Sequence, residues 1–295
     1  MIRVALNGGL GNQLFQYAAA KTLAVKHSTT LEFDVIPLYS KLQFSALATY
    51  RKPELDVFCI EAQTNGMLFK DKFLYPLSKT QFFLNRFYNR WKFNYYKEKD
   101  FAFDGSVMEL PDNTYLDGHF QSERYFKPAE EIIRKECRFK RPLTGQNSEW
   151  EKLINNAVSV SVHIRRGDYV ALQKNIQKHG TTSPEYYKKA VSYIAEKINQ
   201  PVFFIFTDDV PWVREHFTLD FPFHIIGNNT TADSSHLDMQ LMSLCRHHII
   251  CNSTFSWWGA WLNNKADKTV IAPEKWFADP SINSKDIYPP DWIKL

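Results

Sequence analysis

From residue 157 onward, short β-branched and aromatic runs take turns with helix-like stretches, and this alternation limits the possible folds more than any other feature. The runs are "AVSVSVHI" (157–164), "PVFFIF" (201–206), "FHII" (223–226), "HIIC" (248–251) and "TVIA" (269–272). Between them lie "SPEYYKKAVSYIAEKI" (183–198), a short "VPWVREHF" (210–217), "SSHLDMQLMSLCRH" (234–247) and "STFSWWGAWLNN" (253–264). Strands joined through helices run parallel, and a sheet covered on both faces needs strands that are apolar throughout. The expectation is a parallel sheet with helices on both sides. The helix at 183 carries start chemistry: Ser183 as N-cap, Pro184 in the first position and Glu185 in the first turn.

The N-terminal half opens the same way. "IRVAL" reads as a strand, "NGGLGN" as a tight turn, "QLFQYAAAKTLAVKH" as a helix and "TLEFDV" as a second strand. A strand and turn return at "TYLDGHFQS" (114–122), followed by a helix, "ERYFKPAEEIIRKEC", that Pro128 interrupts. The stretch "RPLTGQNSEW" (141–150) mixes Pro, Gly and polar residues and reads as a boundary. Two domains are expected, 1–145 and 146–295.

Composition narrows the partners. Lys and Arg number 36 against 32 Asp and Glu, a net charge of +4. This suits an anionic small ligand or an acidic membrane surface, and is too weak to argue for nucleic acid. The four cysteines lack CxxC spacing and read as reduced thiols of a cytoplasmic protein. "CRHHIIC" (245–251) invites a metal reading, but a helix end passing into a buried strand is preferred. No apolar run approaches the roughly 18–20 residues that span a bilayer, so any membrane contact is expected to be peripheral.

Ligands of open parallel sheets bind outside the carboxyl ends of the strands, and four polar clusters fall there. In "NGGLGNQ" (7–13), Gly8, Gly9 and Gly11 permit close approach to a ligand, and the next helix offers free N–H groups. A plain βα turn is an equal reading, since neither GxxxxGK[ST] nor GxGxxG is present. In "HIRRGDY" (163–169), two adjacent guanidinium groups need acidic company. One arginine can reach a ligand, where its planar fork suits a phosphate, while the other turns inward to a carboxylate such as Asp168. "FIFTDD" (204–209) ends an apolar strand in Asp208 and Asp209, which could meet a nucleobase edge, pair with the arginines, or cap the next helix. "CNSTFSWWGAW" (251–261) delivers Asn252, Ser253, Thr254 and Ser256 to a helix start suited to phosphate. Its tryptophans read mainly as core.

Taken in order, "GGLGNQLFQYA", "HIRRGDY", "FTDD" and "NSTFSWWGAWL" resemble the bacterial α-1,2-fucosyltransferases of glycosyltransferase family 11. The connecting pieces "GHFQSERYF", "SPEYYKKAV", "DMQLMSLCRHHII" and "IAPEKWF" fit too, and residues 40–110 fit least. The resemblance implies a GT-B fold, two Rossmann-like domains whose parallel sheets face a cleft. The first domain would take the acceptor and the second GDP-fucose. It implies inverting transfer of L-fucose from GDP-fucose to the 2-hydroxyl of a galactose, with no metal and no further cofactor. The β-galactoside acceptor could be free, lipid-linked or part of an O-antigen repeat. By the same resemblance Arg165 holds the β-phosphate and Arg166 supports the loop through acidic neighbours. His163 and Asp208 or Asp209 lie near the guanosine, and Ser253, Thr254 and Ser256 line the diphosphate. Asn12, beside Gly9 and Gly11, reaches toward the donor. Asp168, Asp34, Asp117 and His119 are the candidates for a general base.

One segment stands apart. Residues 67–97 hold 11 aromatics and seven Lys or Arg against a single acid, Asp71. "QFFLNRFYNRWKF" (81–93) is expected to be helical, either lying on an anionic bilayer at the cytoplasmic membrane face or packed with an exposed basic face, the latter preferred.

Overall fold

The computed structural model describes residues 1–39, 52–64, 79–166, 180, 182–231 and 233–295, without the side chains of 39 and 79–82. Gly167, Asp168, Tyr169 and Asp71 lie outside the described residues. The chain divides into two units: Met1–Lys140 with Asn283–Pro289, and Arg141–Ile282 with Pro290–Leu295. The division falls a few residues before the expected boundary. Residues 283–289 join the first unit because Asp286 accepts from the Phe103 N–H at 3.1 Å and from Arg124 at 3.0 Å.

The first unit contains β1 (Ile2–Ala5), α1 (Leu10–Lys26), β2 (Leu31–Asp34), β3 (Gln63–Thr64), α2 (Lys79–Lys92), β4 (Asn94–Lys97), β5 (Thr114–Asp117) and α3 (Glu130–Glu136). Its strands are ordered β3-β2-β1-β5-β4, and every pair is parallel. Helix α1 is buried nearly all round, from Leu10 to Ala24, which is why its sequence is apolar without a polar face. The expected helix over 123–137 breaks into two short 3₁₀ turns, 123–125 and 127–129, before α3. Pro128 sits in the second turn, where its missing N–H costs nothing.

The second unit contains α4 (Gln146–Asn155), β6 (Val158–Ile164), α5 (Pro184–Lys197), β7 (Pro201–Thr207), α6 (Val210–His216), β8 (Phe223–Ile226), α7 (Ser235–Leu244), β9 (His247–Ile249), α8 (Thr254–Leu262), β10 (Val270–Ala272) and β11 (Ile293–Lys294). Its all-parallel sheet runs β11-β10-β9-β6-β7-β8. Numbered within the unit, that is the 3-2-1-4-5-6 order of doubly wound nucleotide-binding sheets. The apolar strands are covered on both faces. Val160, Val162, Ile164, Phe203 and Ile205 meet Tyr186, Tyr187, Ala190, Val191 and Ile194, largely of α5. Phe204 and Phe206 meet Leu241 and Met242 of α7. Trp257, Trp258 and Trp261 are core, and Trp292 stands 5.2 Å from Trp257.

The boundary stretch 141–150, at whose start the units divide, also contains the first turns of α4, which starts directly after Gly145 at φ +55° and is tied in by Asn147 to Asn229 at 3.0 Å. One expectation needs correction. The basic aromatic segment does form a helix, but its exposed face is not simply basic: Phe83, Leu84, Phe87 and Trp91 are all more than half exposed. Polar residues turn inward instead. Asn85 and Asn89 donate to the buried Asp34 carboxylate at 2.7 and 3.0 Å.

Candidate functional site

The strand order of the second sheet reverses between β6 and β9, the switch point at which such sheets bind ligands. Strand β6 ends in Ile164, so Arg165 and Arg166 begin the loop at that point. Strand β7 lies alongside, pairing Ile164 with Thr207, and so delivers Asp208 and Asp209 opposite the arginines. Arg165 Nη1 stands 3.7 Å from Asp208 Oδ2, and Arg166 Nε stands 3.4 Å from Asp209 Oδ2. The Arg166 backbone N–H also donates to Asp208 at 2.9 Å.

The two arginines are held differently. The Arg166 guanidinium lies 3.9 Å from the centre of the Trp212 ring, between an aromatic face and a carboxylate. Asp209 in turn caps α6, accepting from the Trp212 N–H at 3.1 Å, while its own N–H donates to the Thr207 hydroxyl at 3.0 Å. The carboxylate that Arg166 meets among the described residues is therefore Asp209, which both pairs and caps. Arg165 and Arg166 each keep about a quarter of the side chain exposed. An Arg165–carboxylate separation of 3.7 Å is an ion pair without a tight hydrogen bond.

Behind these charges sits a dry layer. His163 is buried within 3.2 Å of the Cys251 thiol, and its ring centroid is 5.8 Å from that of Phe255. Burial, reinforced by the Arg165 charge and opposed by Asp208, pushes His163 down to about 3. The imidazole is therefore neutral near pH 7 and offers one N–H and one lone pair rather than a charge. Burial likewise pushes the Cys251 thiol up to about 12, so it is no nucleophile. Ser253 caps α8, accepting from the Phe255 N–H at 3.3 Å. Ser256 is buried and donates to the Ser253 carbonyl at 3.3 Å, whereas Thr254 is half-buried. Asn252 is braced by the Thr182 hydroxyl at 3.1 Å and donates to the Trp276 carbonyl at 3.2 Å.

The first unit has its own switch point, between β1 and β5. Gly8 takes φ +73°, and a side chain there would overlap the Asn12 amide. Gly9 is the N-cap of α1, with Gly11 buried inside its first turn. Asn12 accepts from Gln121 of the β5 loop at 3.0 Å. Two buried glutamines hold the loops together. Gln13 bridges the Gly8 and Lys52 carbonyls at 3.0 and 2.9 Å, and Gln16 joins the Asn7 N–H to the Gly118 carbonyl at 3.0 and 3.1 Å.

The base candidates separate by environment. Asp34 is fully buried and accepts from the Ile36 N–H, Asn85, Asn89 and the Tyr115 hydroxyl, so it is structural. Asp117 accepts from the Tyr95 hydroxyl. His119 stacks on Phe101 with centroids 5.5 Å apart. Sequence reasoning passed over Glu98, whose carboxylate receives the His119 and Phe120 N–H groups at 2.6 and 2.9 Å. Burial pushes it up to about 7 despite those two bonds. Phe120 sits at φ +52°, a costly conformation for an aromatic residue. In the sequence the clamp leaves only a glycine at 118, where the structure shows that a side chain would overlap Glu98.

The His247–His248 pair belongs to the fabric of the fold. His248 lies 2.8 Å from both the Ser161 hydroxyl and the Asn263 amide, and His247 accepts from the Thr269 N–H at 3.1 Å. No group of three or more metal-ligating side chains occurs among the described residues. No helix among them is long and apolar enough to cross a membrane.

Two doubly wound units, one with an arginine–aspartate cluster at its switch point, define a glycosyltransferase of the GT-B type. The chain belongs to glycosyl transferase family 11, whose model matches residues 1–295. An alpha-1,2-colitosyltransferase of Escherichia coli is 33% identical over 98% of this chain and 97% of its own length. The O-antigen biosynthesis glycosyltransferase WbnK of Escherichia coli is also 33% identical, over 98% of this chain and 99% of its own. Among solved structures, fucosyltransferase NodZ from Bradyrhizobium shares the fold, with a TM-score of 0.50 and 16% identity over 88% of this chain and 92% of that one.

Proposed function

We propose that this protein is an inverting α-1,2-fucosyltransferase that moves L-fucose from GDP-fucose to the 2-hydroxyl of a galactose in an O-antigen-type acceptor, free or lipid-linked. The carrying observation is the pairing of Arg165 and Arg166 with Asp208 and Asp209 at the switch point of the second sheet. Arg166 is locked by Trp212 and Asp209 and shapes the loop. Arg165 turns to the β-phosphate of the donor. As GDP departs, negative charge grows on that phosphate, and a fork and a helix start already in place stabilise it where it appears. The capped N-terminus of α8 at Ser253 and Thr254 adds its dipole, and neutral His163 offers a hydrogen bond beside the nucleotide. Asn12, Gly9 and Gly11, at the start of α1, are further residues proposed to bind the donor. Asp168 is the proposed general base or, equally, a carboxylate that holds the arginines; full activity in Asp168→Asn would remove it as the base. The proposal gives no metal a role, so turnover should be unchanged by EDTA.

The test is thermal stabilisation by GDP, GDP-fucose, GDP-mannose and UDP-sugars, followed by GDP release with a panel of galactosides and linkage analysis of the product. Saturating GDP at about 100 times its Kd should stabilise the fold by about 2.7 kcal/mol. Stabilisation without turnover on any acceptor would favour a nucleotide-binding protein. A second reading, transfer of colitose from its GDP derivative, is favoured by the full-length relative that carries that name. Comparing the two GDP-sugars at equal concentration separates the readings through kcat/KM.

A further inference from the structure

The exposed large apolar side chains of the described residues are mostly scattered singly, as at Val25, Ile132, Leu153 and Phe223, and single ones are ordinary. Helix α2 is the exception. Phe83, Leu84, Phe87, Tyr88 and Trp91 are 56, 63, 73, 37 and 79% exposed. Their spacing, i, i+1, i+4, i+5 and i+8, places all five on one helical stripe. The opposite face is anchored, because Asn85 and Asn89 hydrogen-bond the buried Asp34 and Asn89 also accepts from Arg3 at 3.0 Å. The inward amides thus set the helix rotation, and the aromatic stripe is directed outward by the fold itself.

Charge identifies what this face meets. From Lys79 to Lys97 there is no Asp or Glu, and Arg90 and Lys92 of the same helix are exposed beside the stripe. Both lie over rings: Arg90 over Tyr95 at 4.9 Å and Lys92 over Tyr88 at 5.3 Å. A second copy of the chain docked through a two-fold axis would bring these cations face to face, which opposes association. An anionic bilayer surface answers both features. Aromatic rings seat at the headgroup level, and flanking cations meet acidic lipids.

We propose that the exposed face of α2 docks the protein onto an anionic phospholipid surface. The inference goes beyond the transfer reaction and stands on the helix alone. The experiment is co-sedimentation of the full chain with vesicles of phosphatidylcholine alone or mixed with phosphatidylglycerol, across a salt series. Binding is expected only to the mixed vesicles and should weaken as salt rises. Phe87→Ser with Trp91→Ser, and separately Arg90→Glu with Lys92→Glu, should each weaken it about tenfold or more. The serine pair should leave the thermal midpoint unchanged; the charge pair also loses its ring contacts, so its vesicle binding is compared at a temperature where circular dichroism shows it folded. GDP binding and turnover on a soluble acceptor should be kept in both. No binding at low salt, equal binding to neutral vesicles, or binding indifferent to both pairs overturns the proposal. So does a concentration-dependent dimer that the serine pair abolishes.

Discussion

Arg165 and Arg166 are neighbours of the same type with different partners. Arg166 meets the Trp212 ring and Asp209, while Arg165, the proposed phosphate ligand, meets Asp208. Arg165→Ala should therefore lower kcat/KM by about a thousandfold, or about 4 kcal/mol of transition-state stabilisation. Arg165→Lys should recover little, because a point charge does not replace a bidentate fork. Near-normal turnover in the lysine variant would remove the assigned role. Asp209 performs two tasks that substitution can separate. Asp209→Asn keeps the cap on α6 and loses the charge opposite Arg166, whereas Asp209→Ala loses both. The alanine variant should be less stable than the asparagine variant by about 1 kcal/mol in urea denaturation, with both impaired in turnover.

At the scale of elements, the turn after β5 is held by a carboxyl whose acidity its surroundings have changed. Glu98 titrates near 7 in the folded chain, against about 4.3 for an unfolded glutamate. Between those values the native state binds the extra proton. Its contribution is therefore complete below about pH 4 and lost as pH rises through 7. Asp238, buried and pushed up to about 7, acts in the same direction. The buried His163, His247 and His248, all held below their ordinary value, act the other way below about pH 6.5. The readout must therefore be a difference between variant and parent. Glu98→Gln should gain stability relative to the parent from pH 5 to pH 8, by about 2 kcal/mol. A difference that is flat with pH would mean that Glu98 is ionised throughout. The helices illustrate what could be read in advance. Ser183 and Pro184 announced α5, and its N-cap bond to the Tyr186 N–H is present at 3.3 Å. Strand β4 was not legible, because "NYYK" is short, partly exposed and follows directly on the helical stretch 81–93. Strands β3 and β11, of two residues each, carry no periodicity at all.

On the whole-molecule scale, the chain passes between its two units at Lys140–Arg141, Ile282–Asn283 and Pro289–Pro290. The last residues are therefore structural. Strand β11 pairs with β10, and the Trp292 indole is buried on the tryptophan cluster of α8. Deleting 290–295 should cost at least about 3 kcal/mol, since loss of one buried indole alone is of that size. It should also lower the GDP-stabilised melting transition, which calorimetry would register. An unchanged midpoint would make the tail dispensable.

By itself, the sequence determined the class. Apolar runs alternating with helices can bury both faces of their strands only in a parallel sheet, and the polar clusters had to fall at strand ends. It also carried the family, through motifs spread along most of the chain. The tertiary structure decided the partners. Which carboxylate meets which arginine depends on β7 lying in register beside β6, a pairing between residues more than 40 positions apart. The buried Asp34, the Glu98 clamp and the inward asparagines of α2 depend likewise on long-range neighbours. A polar residue written in a sequence looks solvated until the fold removes its water and supplies donors in exchange.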